Sequence, residues 1–341
     1  MAFNNIRINN FTVFDEVELN FCDGINVFIG ENGTGKTHLL KILFTLCKWK
    51  LGKSSKDNDS NEDNDPSIEE KMLACFQNTA FQELTHQKNK SDIQIVAIID
   101  GQEKTCRLWD NNKPNILLDS RSSGINIAPS PAVFIPAKEM LTHSGLEKDF
   151  AQRTLPFDIT LIDILNRAGA SKLRILADDM RSILDKIVLI IDGKVDKEND
   201  RYYIEKPDGT HTYFAVEAEG FKKLGHIYRL IETGNIAKDS ILIWDEPESN
   251  LNPQLIPALV DIILALEQAG VQMFFATHDY FFAKFLEVRK NAAHQVAYHA
   301  LYKENDKVLC ESQNDFELLE NNSIISQSIA LYKEEVRKVM V

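Results

Sequence analysis

The chain has 341 residues, 44% hydrophobic and 26% charged, enough to bury a large core and within the range of ordinary globular proteins. Its net charge of −13 counts against broad nonspecific affinity for nucleic acid, and no uninterrupted apolar run approaches the ~18 residues that span a bilayer. The opening MAFNNIRINNF lacks a signal-peptide-like apolar stretch, and the five cysteines (Cys22, Cys47, Cys75, Cys106, Cys310) form no CxxC pair, so the expectation is a cytoplasmic protein with reduced thiols and no zinc site.

The first thirty residues alternate as half-buried strands do. Ile6 and Ile8, then Val17, Leu19 and Phe21, point one way and their polar neighbours the other. Ile25–Ile29 is a short apolar run suited to a central strand. It ends in a glycine-rich turn, and a helix follows with Leu39, Leu40, Leu43 and Leu46 on one side.

That turn, Gly30-Glu31-Asn32-Gly33-Thr34-Gly35-Lys36-Thr37, fits GxxxxGK[ST] at every specified position. Gly30, Gly33 and Gly35, with Asn32 and Thr34 between them, let successive backbone N–H groups turn inward around phosphate oxygens. The helix amino end adds its positive dipole, Lys36 is placed to reach the β- and γ-phosphates, and the Thr37 hydroxyl to hold Mg²⁺. An ordinary glycine turn would match this pattern by chance in about one chain per hundred, and here the flanking strand and helix are in the right places.

Lys48, Lys50, Lys53 and Lys56 form either a local basic patch or a solvated helix end. Residues 52–67 (GKSSKDNDSNEDNDPS) contain no apolar side chain and read as a disordered loop. Asp59, Asn61, Asp63 and Glu70 imitate a calcium loop, but Asn64 replaces the required glycine and Pro66 interrupts it, so no calcium site is assigned. Ile93–Ile99 and Thr105–Trp109 read as strands around an Asp100-Gly101 turn, and Ala132–Ile135 as another strand. From about 146 to 191 the pattern is helical, with Ile175, Leu176, Ile183, Leu184 and Ile187 at helical spacing. Tyr202–Ile204 and Thr212–Phe214 suggest a hairpin turning at Pro207-Asp208-Gly209.

The last third contains a β-α-β unit: strand Ile241–Trp244, amphipathic helix Gln254–Gln268 and strand Met273–Thr277. Such alternation implies a parallel sheet covered by helices, with ligands at the carboxyl ends of its strands. The first of these strands runs into Asp245-Glu246, and the second into His278. Adjacent side chains at a strand end diverge, so Asp245 can hold Mg²⁺ while Glu246 polarises an attacking water. The bland alternatives are a solvated acidic turn and a turn histidine. The phosphate turn upstream and the β-α-β spacing favour the functional reading.

Taken in order, these motifs resemble the ABC ATPase head domain, particularly its SMC/RecF/OLD branch. They comprise Walker A (GENGTGKT, 30–37), Walker B (ILIWDEPE, 241–248), a D-loop (SNLNP, 249–253) and a switch histidine (ATHD, 276–279). The opening IRINNFTVFDEVELNF is similar to the branch's first hairpin, and the likeness is good over 1–50 and 210–300 and poor between. It implies an α/β P-loop NTPase, here one 1–341 domain: an ABC head with an antiparallel β subdomain, a mostly parallel core sheet and an inserted helical subdomain. The insertion would be a helical and hairpin segment at 139–215, with a carboxyl-terminal helix at 320–341.

The resemblance also implies a signature motif before Walker B. Val216–Leu224 (VEAEGFKKL) lies there, with Ala218 where serine is usual, and Gly220 with the following helix amino end would meet a γ-phosphate. No glutamine follows Ile135, so the Q-loop role is unassigned. In this fold the signature serves ATP held by another copy, implying an ATP-sandwich homodimer or higher oligomer whose interface Asn250 and Asn252 would cross. The catalytic set would be Lys36, Glu246 and His278, with ATP and Mg²⁺ as cofactors.

The middle insertion is too short for long SMC arms, and about sixty residues after His278 are too few for a TOPRIM nuclease domain. The chain therefore looks like a stand-alone OLD-like ATPase. By family analogy it would control a separately encoded protein effector, a nuclease, in prokaryotic anti-phage defence. Two other readings stay open: a RecF-type repair ATPase gripping DNA, which the negative charge does not favour, and an ATP-binding scaffold with little turnover. A membrane transporter's nucleotide-binding subunit fits less well, since signature and Q-loop both depart from it. The tail 323–340 carries Ile325, Ile329, Tyr332, Val336 and Met340 on one helical stripe, which would pack on the chain's own sheet or dock a partner.

Overall fold

Two antiparallel strands open the chain, β1 (Phe3–Phe11) and β2 (Phe14–Asn20), in the register Ile6↔Leu19 and Ile8↔Val17 that buries all four side chains. The computed structural model describes residues 2–47, 68–77, 81–86, 93–108, 132–146 and 158–339. The polar segment 52–67, the four lysines read as a basic patch, Trp109 and Met340 lie outside those residues.

After β3 (Ile25–Gly30) come α1 (Lys36–Leu46) and α2 (Ile68–Cys75), then the hairpin β4 (Ile93–Ile99) and β5 (Gln102–Leu108). Asp100 and Gly101 both have positive φ, as a two-residue hairpin turn requires, so β5 starts three residues before the expected Thr105. β2-β1-β4-β5 form a four-stranded antiparallel sheet. Next come β6 (Ala132–Ile135), α3 (Ile159–Ala168) and α4 (Asp178–Ile191). The helical pattern expected across 146–191 is broken between Gly169 and Ala177, and Ile175 lies in that break, 83% exposed. Ile183, Leu184 and Ile187 do form the buried face of α4.

A three-stranded sheet follows, of β7 (Lys194–Glu198), β8 (Arg201–Glu205) and β9 (His211–Tyr213). Then come α5 (Glu219–Glu232), β10 (Ile241–Asp245), α6 (Ile256–Gln268), β11 (Gln272–Thr277), α7 (Tyr280–Arg289), the hairpin β12 (Val296–Glu304) and β13 (Lys307–Gln313), and α8 (Ser323–Val339).

The central sheet has the order β13-β12-β3-β11-β10-β6, parallel throughout except for β13 at one edge. Strict alternation along its strands divides the core in two. Val27, Ile29, Leu242, Trp244, Met273 and Phe275 face the cluster containing α4, α5 and α6. Phe28, Ile241, Ile243, Phe274 and Ala276 face the cluster containing α1 and the antiparallel sheet. Gln272 ties the two sheets, its amide exchanging bonds of 2.8 and 2.9 Å with the backbone of Phe3. Lys41 of α1 pairs with Asp158, which also caps α3 through the Thr160 N–H at 2.8 Å, so α3 is anchored on the helix that follows the phosphate turn.

Candidate functional site

The parallel pairing Ile29↔Thr277 and Trp244↔Phe275 brings the carboxyl ends of β3, β11 and β10 side by side. The turns after these strands carry Gly30–Thr37, His278 and Asp245-Glu246, so residues more than two hundred positions apart meet at one edge.

Gly35, with φ 90°, caps the amino end of α1. A Cβ there would lie 2.5 Å from Val13 Cγ2 and 2.6 Å from Phe14 Cζ, so the first hairpin props the phosphate turn from below. Thr34 is buried and donates to the Glu31 carbonyl at 2.9 Å, while Asn32 and Gly33 are exposed at the tip. Lys303 of β12 leans over that tip, its Nζ 3.5 Å from where a Gly33 Cβ would stand. Lys36 Nζ donates to the carbonyls of Gly30 at 2.6 Å and Glu31 at 3.0 Å. Burial holds the Lys36 ammonium below its ordinary range, and Asp245, Glu246, Glu248 and Glu31 oppose that shift.

Thr37 Oγ1 donates to Asp245 Oδ2 at 2.9 Å. Burial raises the Asp245 carboxyl, the Thr37 bond pulls it back down, and the neighbouring Glu246 charge adds to the rise. One hydroxyl and one carboxylate in contact form the sparse, all-oxygen set that suits Mg²⁺, which keeps waters and substrate phosphates for its other ligands. Asp245 therefore turns toward the phosphate turn.

Glu246 has φ 49°, in the left-handed region that costs a non-glycine residue roughly 1–3 kcal/mol. Its N–H donates to the Ala276 carbonyl at 2.9 Å, and its Oε1 lies 3.4 Å from His278 Nδ1. His278 is about half exposed. Gly220 sits elsewhere, in the first turn of α5. A Cβ there would come within 2.8 Å of Leu255 and 3.1 Å of Leu251, residues flanking the loop after the acidic pair. Ala218 is the N-cap of that helix and supplies no side-chain cap, so the departure from serine leaves the first-turn N–H groups without a hydroxyl beside them.

Two features were not anticipated. Lys223 is 4% exposed, and its Nζ reaches the Glu246 carbonyl at 3.0 Å, the Pro247 carbonyl at 3.4 Å and Ser249 Oγ at 2.6 Å. Burial lowers this ammonium to about 8 despite the surrounding carboxylates Glu248, Glu246, Glu219 and Asp245. The sequence held a signal for it: Lys223 falls in register with Ile227 and Leu230 on the apolar stripe of α5, and a lysine there must have fixed acceptors. The second is Glu248, buried and bonded to Thr277 Oγ1 at 2.6 Å. In the Q-loop position, the Ala137 carbonyl accepts from Ser249 Oγ at 3.3 Å, and Glu139 accepts from the Leu141 N–H.

The fold and the arrangement of the strand ends are similar to those of ABC-type, SMC/RecF-like ATPase domains. Residues 143–283 match a family described as "AAA domain, putative AbiEii toxin, Type IV TA system", and residues 5–150 match one described as "AAA domain". Among solved structures, the SMC head domain from Thermotoga maritima superposes with a TM-score of 0.50 at 13% identity, covering 91% of this chain and 98% of that one. An SMC head bound to the C-winged helix domain of ScpA gives 0.55 at 14% identity, covering 92% and 98%. These two likenesses establish the fold. The DNA replication and repair protein RecF of Bacillus thuringiensis (strain Al Hakam) is 36% identical over 59 residues, which are 17% of this chain and 16% of that protein. The RecF of Bacillus cereus (strain B4264) matches to the same extent, so the chain spans about one sixth of these relatives. Among the described residues no helix is long and apolar enough to cross a membrane.

Proposed function

We propose that the chain binds Mg-ATP in the Gly30–Thr37 turn and hydrolyses it. The carrying observation is the 2.9 Å bond between Thr37 and Asp245, which puts the two metal-ligand candidates at the phosphate turn and leaves Glu246 free beside His278. Bound Mg²⁺ would neutralise charge on the β- and γ-phosphates. Gly30, Asn32, Gly33, Thr34 and Gly35 shape the cradle, and Lys36 exchanges its two carbonyl acceptors for phosphate oxygens. Glu246 orients and deprotonates the attacking water, with His278 at the γ-phosphate. Gly220 and the amino end of α5 serve the ATP of a second copy, so the active form is a homodimer or higher oligomer in the cytoplasm.

The test is phosphate release by three proteins. The wild type should turn over, Glu246→Gln should bind ATP but release phosphate at least a hundredfold more slowly, and Lys36→Ala should lose ATP affinity in a binding titration. Normal turnover in Glu246→Gln would assign the water to another residue.

The ATPase then controls a separately encoded effector, a nuclease in an anti-phage defence pair. The family description naming a toxin of a toxin–antitoxin system favours this two-component output. The RecF match favours a second reading, a DNA-maintenance ATPase. Stimulation of phosphate release by duplex DNA supports the second, and co-purification of a nuclease from the native host supports the first.

A further inference from the structure

Glu248 lies two residues beyond Glu246 and is buried to within 8% exposure. A carboxyl with so little water needs a specific partner. It has one: the Thr277 hydroxyl donates to Glu248 Oε1 at 2.6 Å. The same hydroxyl accepts from the Asp279 N–H at 3.0 Å. The chain of bonds therefore grips the residues on both sides of His278, whose ring faces Glu246 at 3.4 Å. Among the described residues Glu248 Oε2 is buried with no partner, and the Thr277 bond is the side-chain contact that holds this carboxyl in place. Burial pushes the Glu248 carboxyl up to about 7.

We infer that Glu248 is a positioning residue that sets His278 against Glu246 by way of Thr277. This rests on the ATPase reading above. The end of β10 carries Glu246 and the end of β11 carries His278, and backbone pairing stops at Asp245↔Ala276. Beyond that point the Glu246 N–H to Ala276 carbonyl bond and the Glu248–Thr277 bond tie the two turns. Removing the second frees the His278 turn to shift, while the phosphate turn, on β3, keeps its own contacts.

The experiment measures ATP affinity and phosphate release for Glu248→Leu, Glu248→Gln, Thr277→Val and His278→Ala, with the double variants. Glu248→Leu should lower kcat about tenfold, the scale of one hydrogen bond to a carboxylate, with ATP affinity within twofold of wild type. Glu248→Gln, which keeps an acceptor oxygen, should restore most of kcat. Thr277→Val should match Glu248→Leu, and in the His278→Ala background neither should have a further effect. If Glu248→Leu fails to fold, Thr277→Val carries the same test. Wild-type kcat in Thr277→Val and Glu248→Leu, or losses that multiply with His278→Ala, overturns the inference while leaving the ATPase reading intact. Absence of phosphate release from the wild type overturns the ATPase reading itself, and is told apart by that control.

Discussion

The Lys223 ammonium donates to the Glu246 carbonyl at 3.0 Å, while the Glu246 N–H donates to Ala276 at 2.9 Å, so a residue with left-handed backbone is clamped on both of its peptide groups. The clamp joins the helix that begins at the signature segment to the residue proposed to activate water. Lys223→Met keeps the volume and removes the donor. We expect it to destabilise the protein by about 1–3 kcal/mol, because the Glu246 and Pro247 carbonyls lose a charged partner. Phosphate release should fall about tenfold, with ATP binding retained, since Lys36 is untouched. Thermal melting and a phosphate-release assay check the two parts, and unchanged turnover would detach α5 from the chemistry.

Gly35 and Gly209 both have positive φ, at 90° and 80°, but different surroundings. A Cβ at Gly35 would overlap Val13 and Phe14, whereas at Gly209 nothing among the described residues lies within 4 Å. Gly209→Ala should therefore cost about 1 kcal/mol, the backbone strain alone. Gly35→Ala should cost several times that and also weaken ATP binding, because the first hairpin must move for the turn to form. Equal melting temperatures for the two variants would refute the propping role of Val13 and Phe14.

Glu248 makes stability depend on pH in a predictable direction. Its carboxyl is pushed up to about 7 in the folded chain from an ordinary value of 4.5, because burial and Asp279 outweigh the Thr277 bond and Lys223. Between those values the folded state holds a proton that the unfolded state has released. Stability from this group is therefore present below pH 4.5 and lost as pH rises through 7. Glu248→Gln has no such loss. Its stability relative to wild type, followed by thermal and denaturant melting, should rise between pH 5 and pH 8, by an amount on the order of 3 kcal/mol at most. A gap that stays constant, or closes with rising pH, would contradict the buried, unpartnered Oε2.

The sequence made the phosphate turn and strand ends legible because each is contiguous: GENGTGKT, ILIWDE and FFATHD specify local backbone and pairing at once. Turns carrying glycine were equally plain, as at Asp100-Gly101 and Gly209. The hairpins at Asn199-Asp200 and Asn305-Asp306 were not recognised, although all four residues have positive φ. Asn and Asp tolerate that conformation without the signal that glycine gives. β7, β12 and β13 were missed with them. The Lys223 and Glu248 contacts are tertiary: neither partner is near in sequence to the residue it positions, except through the sheet.

The expectation that the tail packs on the chain's own core holds for the first turn of α8. Asn322 is buried and caps the helix, accepting from the N–H groups of Ile324 at 3.1 Å and Ile325 at 3.2 Å and donating to the Phe316 carbonyl at 3.3 Å. Ile324 is 8% exposed and Ile325 packs partly against the core. Beyond them burial falls off: Ile329 is 48% exposed, Tyr332 66% and Val339 88%, with Val336 half-buried. A chain ending at Gln327 keeps the cap and both isoleucines, so its melting temperature should stay within about a degree of full length, as for changes away from buried features. A chain ending at Glu320 loses them. It should be destabilised by about 2–4 kcal/mol, the scale of burying one isoleucine fully and another in part plus a helix cap. Differential scanning calorimetry on the two truncations separates these outcomes. If the cut at Gln327 destabilises as much as the cut at Glu320, the outer turns of α8 are held by contacts that the single chain does not display, and the melting temperature should then depend on protein concentration.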